Sequence, residues 1–215
     1  MRRVLADPDA VAATVAAEVA SAIRGGLRTL VLAGGTTPKN AYRLLRQQEL
    51  TWGGVTVLFG DERCVPPDHP DSNYRMAREE LLDHVRPASV HRMAGELGAE
   101  AAAAAYDAVV AGLQPLDLVL LGIGEDGHTA SLFPGNSALE AVGWAVAVHG
   151  APKPPPDRVS LSLTTLRGAG RVLIMATGKD KAEAVKRAGR GEVPSGMIPA
   201  AEWILDAAAA GGEPA

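Results

Sequence analysis

Short apolar runs bounded by turn residues recur along the chain, at residues 27–33, 55–60, 117–122, 144–148, 159–163 and 171–176. Their length suits strands, and unbroken apolar character suits strands buried on both faces, as in a parallel sheet. Helical stretches fall at residues 38–48, 73–84, 98–112, 179–188 and 200–210, and a first helix opens at Asp7 and Pro8. Parallel neighbours need a crossover, and a helix is the usual one. The expected fold is α/β: a doubly wound, mostly parallel Rossmann-like sheet with helices on both faces. Ligands of such sheets sit beyond the carboxyl ends of the strands, so the strand-to-helix loops are where chemistry is expected.

Composition narrows this picture. A chain of 215 residues that is 47% hydrophobic can bury one substantial core, so a single domain spanning residues 1–215 is expected. With only 4% aromatic residues, that core must come from Val, Leu, Ile and many Ala. A net charge of −4 with scattered arginines gives no field for phosphodiester backbones, so nucleic acid is not an expected partner. Cys64 is the only cysteine, which excludes an internal disulfide, a Cys-rich zinc site and a CxxC redox pair. Charged residues interrupt the N-terminal segment, and no run approaches the roughly 20 apolar residues of a membrane helix. A cytoplasmic protein without a membrane partner is expected. The segment 150–157, APKPPP at its centre, reads as a stiff surface connection, and the C-terminal GGEPA as a frayed end.

Three loops carry the candidate chemistry. In LVLAGGTTPKNAYRLL (30–45) a buried strand runs into Gly34 and Gly35, then Thr36, Thr37 and Pro38 at a helix start. Converging backbone N–H groups, the two hydroxyls and the helix N-terminus suit a phosphate. The GxxxxGK[ST] spacing is absent, so a nucleotide is not implied. An ordinary tight turn with a Thr cap is the other reading.

The second loop, FGDERCVPPDHPDSNYRMA (59–77), ends a strand in Asp61, Glu62 and Arg63. Arg63 suits charge developing on an oxygen, and the carboxylates suit sugar hydroxyls or the arginine itself. A solvated charge cluster is the alternative. Ser72 and Asn73 are placed to cap the next helix.

The third, GIGEDGHTASLFPG (122–135), matches GxGxxG at Gly122, Gly124 and Gly127. A dinucleotide is rejected, because Glu125 and Asp126 repel a pyrophosphate and Pro134 with Gly135 ends any helix early. The glycines instead let the backbone approach a ligand and present Asp126 and His128 at its rim. A neutral imidazole can take a proton from water at neutral pH, and Asp126 is the nearest carboxylate to fix its tautomer. Arg158 opens a strand and Lys181 lies at a helix start, both able to reach a phosphate over the first loop, with Lys179 as a competitor for Lys181. No GxSxG elbow occurs, and His69, His91 and Cys64 form no metal-ligand spacing, so water is the favoured nucleophile. Cys64 reads as a small filler.

Together these segments resemble the 6-phosphogluconolactonase family of the glucosamine/galactosamine-6-phosphate isomerase superfamily. AGGTTP is similar to its GGSTP loop, FGDERCVPPDHPDSNYRMA to its GDER segment, LGIGEDGHTASLFPG to its GIGxDGHxASLFPG signature, and PPPDRVSLSL and TGKDKA to its Arg-bearing strand and GxxKA helix start. The match runs in order from about residue 30 to about residue 190. Thr36 stands where serine is usual, and Leu58-Phe59 lacks a tryptophan often found before GDER.

The resemblance implies hydrolysis of 6-phospho-D-glucono-1,5-lactone in the oxidative pentose phosphate pathway, without metal or organic cofactor, by a monomer or weak homodimer. His128 is then the general base, oriented by Asp126. Arg63 and Asp61 lie near the lactone, and Gly34, Gly35, Thr36, Thr37, Arg158 and Lys181 hold the phosphate. A glucosamine-6-phosphate deaminase is expected to show a DEY-like run and an FNEPG-like continuation where this chain has DER and SLFPG. A non-catalytic sugar-phosphate-sensing domain is the remaining alternative. All of this requires the threonine-bearing loop and His128 to face one hexose-sized ligand.

Overall fold

The structure is a computed structural model that describes residues 1–212, so most of the GGEPA end expected to fray lies outside the described residues. Strands β1 (Arg2–Leu5), β2 (Thr29–Leu32), β3 (Thr56–Phe59), β5 (Ser89–Val90), β6 (Leu118–Gly122), β9 (Arg171–Ala176) and β10 (Glu202–Asp206) form one sheet in the order β1-β10-β9-β6-β2-β3-β5. Every neighbouring pair in it is parallel. Helices α1 (Pro8–Arg24), α2 (Thr36–Leu45), α3 (Asn73–Glu80), α4 (Ala99–Ala111), α5 (Leu163–Gly168) and α6 (Ala182–Gly189) surround it.

Alternate strand residues serve opposite faces, as the two-residue side-chain period requires. Leu30, Leu32, Leu118, Leu120, Leu173 and Met175 pack with α1, α2 and α3 in one apolar cluster. Their neighbours Val31, Val119, Leu121, Val172 and Ile174 pack with α4, α5 and α6 in the other. Helices therefore cover both faces, and the small-residue stripes of α1 and α4, including Ala12, Ala16, Ala20, Ala102 and Ala103, let them lie close to the sheet. The N-terminal signal of α1 is confirmed by Asp7, whose Oδ1 accepts from the Ala10 N–H at 2.8 Å just before Pro8.

Several expectations need correction. Residues 200–210, expected as a helix on their alanine content, hold β10, where Ile204 and Leu205 are fully buried between β1 and β9. Tertiary pairing overrides alanine's helix propensity there. The runs at 144–148 and 159–163 do not join the parallel sheet. As β7 (Ala145–Val148) and β8 (Arg158–Leu161) they form an antiparallel sheet with β4 (Asp61–Arg63), in the order β4-β8-β7. Their apolar faces are buried by α4 and by the cluster under α5 rather than by crossover helices. β1, β5 and α5 were not anticipated; the first two carry few apolar residues, and α5 spans only six residues. Helix α2 begins at Thr36, two residues earlier than expected, and ends at Leu45 rather than residue 48.

Chain order reverses between β2 and β6: β3 adds on one side of β2, and β6 and then β9 on the other. This is the topological switch point at which open α/β sheets hold ligands. Among the described residues no helix is long and apolar enough to cross a membrane.

A half-buried ion network ties the outer strands together. Arg171 binds Glu202 at 2.6 Å and Glu18 at 2.8 Å, and Arg3 binds Glu18 at 2.6 Å. Burial opposes the charge on Glu18, but Arg3 and Arg171 outweigh it and hold its carboxyl below the usual range. The Arg171 hydrogen bond does the same for Glu202. Folded values below unfolded ones mean that this stabilisation is complete above the unfolded pKa of about 4.3 and is lost as pH falls through the folded values. Arg171→Met is expected to cost about 1–2 kcal/mol at pH 7. The gap in melting temperature from the parent should narrow below pH 4; a gap constant from pH 7 to pH 3 would exclude the linkage.

Candidate active site

The three loops converge on one cavity of about 500 Å³ beyond the carboxyl ends of β2, β3, β6 and β9. Its lining includes Gly34, Gly35, Thr36, Thr37, Asp61, Arg63, His128, Arg158 and Lys181. The threonine-bearing loop and His128 thus face the same space, as a single hexose-sized ligand requires. Lys179 lies outside the lining, so of the two lysines it is Lys181 that reaches the cavity.

The first loop is pinned from below. The buried Tyr42 hydroxyl exchanges hydrogen bonds with the N–H and C=O of Ala33, both at 2.9 Å. Gly34 is required by close approach, since a Cβ there would stand 2.0 Å from Oδ1 of Asn73. Helix α2 starts at Thr36 without a side-chain cap, so its first N–H groups remain available to an anion. The Thr37 and Thr177 hydroxyls meet at 2.8 Å and join this loop to the one that follows β9.

In the second loop the carboxylates divide. Glu62 is 3% exposed and turns away from the cavity, accepting from the N–H groups of Arg63, Asn73 and Tyr74 and from the Ser72 hydroxyl. It holds the start of α3, whose N-cap is Ser72; burial nonetheless pushes its pKa up. Asp61 lines the cavity with both oxygens engaged, Oδ2 by the Ser131 hydroxyl at 2.6 Å and Oδ1 by Asn73 Nδ2 at 3.1 Å. Arg63 donates to the Asp71 carbonyl through Nη1 at 2.5 Å, while its buried Nε has no partner among the described residues. Cys64 is disfavoured as a thiolate: burial, with Asp157 and Glu62 nearby, pushes its thiol up to about 11.

In the third loop His128 Nδ1 lies 2.6 Å from Asp126 Oδ1, which also accepts the His128 N–H at 3.1 Å. Burial opposes the Asp126 charge, but the His128 N–H and imidazole outweigh it and hold the carboxyl below its usual range. An ionised carboxylate only accepts, so Nδ1 carries the hydrogen, and in the neutral ring the lone pair is on Nε2. Asp126 itself is outside the lining and bonds the ring through Nδ1. Gly124 makes room for this pair, because a Cβ would stand 2.0 Å from Nδ1. That glycine lines the cavity as well as making room for the histidine.

Phe133 lies between two functional groups, its ring 4.5 Å from the His128 ring and 5.5 Å beneath the Arg158 guanidinium. Arg158 is 5% exposed and donates to the carbonyls of Pro155 and Lys153. Burial pulls its pKa below the ordinary arginine value, against the attraction of Asp61. Asn73, Phe133, Lys153 and Thr177 line the cavity without having been singled out for it. The sequence marks Asn73 only as a helix cap, and Lys153 stands in a proline run that reads as plain connection. Among the described residues no group of three or more His, Cys, Asp or Glu is placed to hold a metal ion.

The fold and cavity define an α/β protein with a small-molecule site at the switch point of its parallel sheet, lined by cations and one carboxylate-bound imidazole. The family described as glucosamine-6-phosphate isomerases/6-phosphogluconolactonase matches residues 6–208. A 6-phosphogluconolactonase from Mycobacterium leprae is 38% identical over 91% of this chain and 90% of its own length. The structure of 6-phosphogluconolactonase from Trypanosoma brucei superimposes with a TM-score of 0.90 at 28% identity, covering 100% of this chain and 98% of that one. A monomeric glucosamine-6-phosphate deaminase shares the fold, with a TM-score of 0.86 at 23% identity over 99% of both chains. The chain belongs to the glucosamine-6-phosphate isomerase/6-phosphogluconolactonase family.

Gly124→Ala is expected to break the Asp126–His128 hydrogen bond and cost about 1–3 kcal/mol through overpacking. Imidazole nitrogen NMR shifts and a denaturant melt check this; an unaltered His128 signal would contradict it.

Proposed function

We propose that this chain is a carboxylic ester hydrolase of one catalytic domain that converts 6-phospho-D-glucono-1,5-lactone to 6-phospho-D-gluconate in the cytoplasmic oxidative pentose phosphate pathway. The observation that carries this reading is the single cavity in which an Asp126-bound imidazole faces the uncapped N-terminus of α2. One end of that space suits a proton transfer and the other a phosphate. The names of relatives such as the Mycobacterium leprae protein favour the lactonase among the family's activities.

The phosphate rests on the N–H groups at Gly35, Thr36 and Thr37 and on the two threonine hydroxyls, with Lys181 and Arg158 supplying charge. Anchoring the far end of the substrate places C1 of the lactone before His128. Nε2 takes a proton from water as the water oxygen bonds to C1, and Asp126 stabilises the imidazolium that forms. The carbonyl oxygen becomes an oxyanion, which Arg63 meets. Collapse re-forms the carbonyl and breaks the bond from C1 to the ring oxygen, which receives the proton back from His128. Asp61, held by Ser131 and Asn73, borders the ring hydroxyls.

His128→Ala is expected to lower turnover about 10²–10⁴-fold relative to the parent, measured above the lactone's spontaneous hydrolysis, with folding and 6-phosphogluconate affinity largely retained. Near-normal turnover would remove His128 from the mechanism. Incubation with glucosamine 6-phosphate should release no ammonia; sustained release would establish the deaminase reading instead. Binding of 6-phosphogluconate with no acceleration of lactone hydrolysis would identify a sensing domain.

A further inference from the structure

The cavity mouth holds a charge arrangement of which the proposed reaction uses only Lys181. Lys153, from the connection between β7 and β8, and Lys181, from the turn before α6, both line the cavity. Their ammonium groups lie 3.5 and 3.4 Å from the same oxygen, Oε1 of Glu125. Glu125 is itself outside the lining, on the loop that carries His128. Lys181 has a second acid, Asp180, at 2.8 Å. Arg158 differs from both lysines: it is buried, fixed by backbone carbonyls, and makes no ion pair among the described residues.

Two features set what this arrangement does. The lining carries four cationic side chains, Arg63, Lys153, Arg158 and Lys181, against two carboxylates, Asp61 and Asp180. Its excess of two positive charges matches a phosphate dianion. Glu125 offsets one of these from the rim, and its side chain, 56% exposed, can rotate away into water at little cost. A dianion reaching the lysines gains more than Glu125 loses, whereas a singly charged anion gains no more than it displaces.

We infer that Lys153 joins Lys181 as a phosphate contact and that Glu125 is their resident counter-ion, a specificity-determining residue that favours dianionic over monoanionic ligands. The inference rests on the proposed phosphate end of the site. It assigns a role to the proline-rich connection, which carries Lys153 to the rim, and to the one loop position between Gly124 and Asp126.

The test is calorimetric titration of inorganic phosphate and of 6-phosphogluconate, alongside steady-state kinetics, at low ionic strength. Glu125→Gln should tighten both ligands about two- to tenfold, with KM for the lactone falling more than kcat changes. Lys153→Gln should weaken both ligands, and in its presence Glu125→Gln should keep only the part of its effect that acts through Lys181. The gain should fade as salt is raised toward ~0.5 M, where the Debye length is only a few ångströms. Equal or weaker phosphate binding in Glu125→Gln would overturn the inference, as would an undiminished gain in the double variant. These outcomes are separable from the functional reading, which fails instead if the parent protein does not accelerate lactone hydrolysis.

Discussion

The site depends first on the Asp61 carboxylate. Sitting at the start of β4, where the chain leaves β3 for the small antiparallel sheet, it binds Ser131 of the histidine loop and Asn73 of α3. Asn73 in turn packs against Gly34 of the phosphate-type loop so closely that no side chain fits there. One buried acid thus links all three loops. Such a network holds only when each member is satisfied, because an unpaired polar group at low dielectric is costly. Asp61 remains 8% exposed at the cavity wall, so the same group that sets the wall also borders whatever fills it.

The adjacent charges are divided by direction. Along β4 successive side chains point to opposite sides, so Asp61 and Arg63 face the cavity while Glu62 goes beneath to hold the start of α3. Antiparallel pairing of β4 with β8 sets Arg63 opposite Arg158, which brings two cations to one wall. Phe133 then spaces Arg158 from His128, giving the cation an aromatic face in place of an acid. The wall stays positively charged because its arginines are held by carbonyls and a ring instead of being neutralised.

The parallel core and its crossover helices were legible because burial on both faces leaves continuous apolar runs, and such runs can be found without knowing their partners. The candidate loops were legible for a related reason: glycines and charges directly after a buried run are poorly suited to a core. The alanine-rich C-terminal stretch misled, since propensity is a local quantity and β10 is stabilised by β1 and β9 on either side. The assignment of β7 and β8 to the main sheet failed similarly, as an apolar run does not state which sheet it joins.

By itself, then, the chain determined the α/β class, the three loops, and the pairing of Asp126 with His128, because each is written in residues close together along the sequence. Only the tertiary structure decided that Glu62 supports a helix, that Gly124 yields its space to an imidazole, and that Lys153, Glu125 and Lys181 meet at one rim. Those outcomes depend on which strand ends become neighbours and which way each side chain points, and both are settled by packing across the whole sheet.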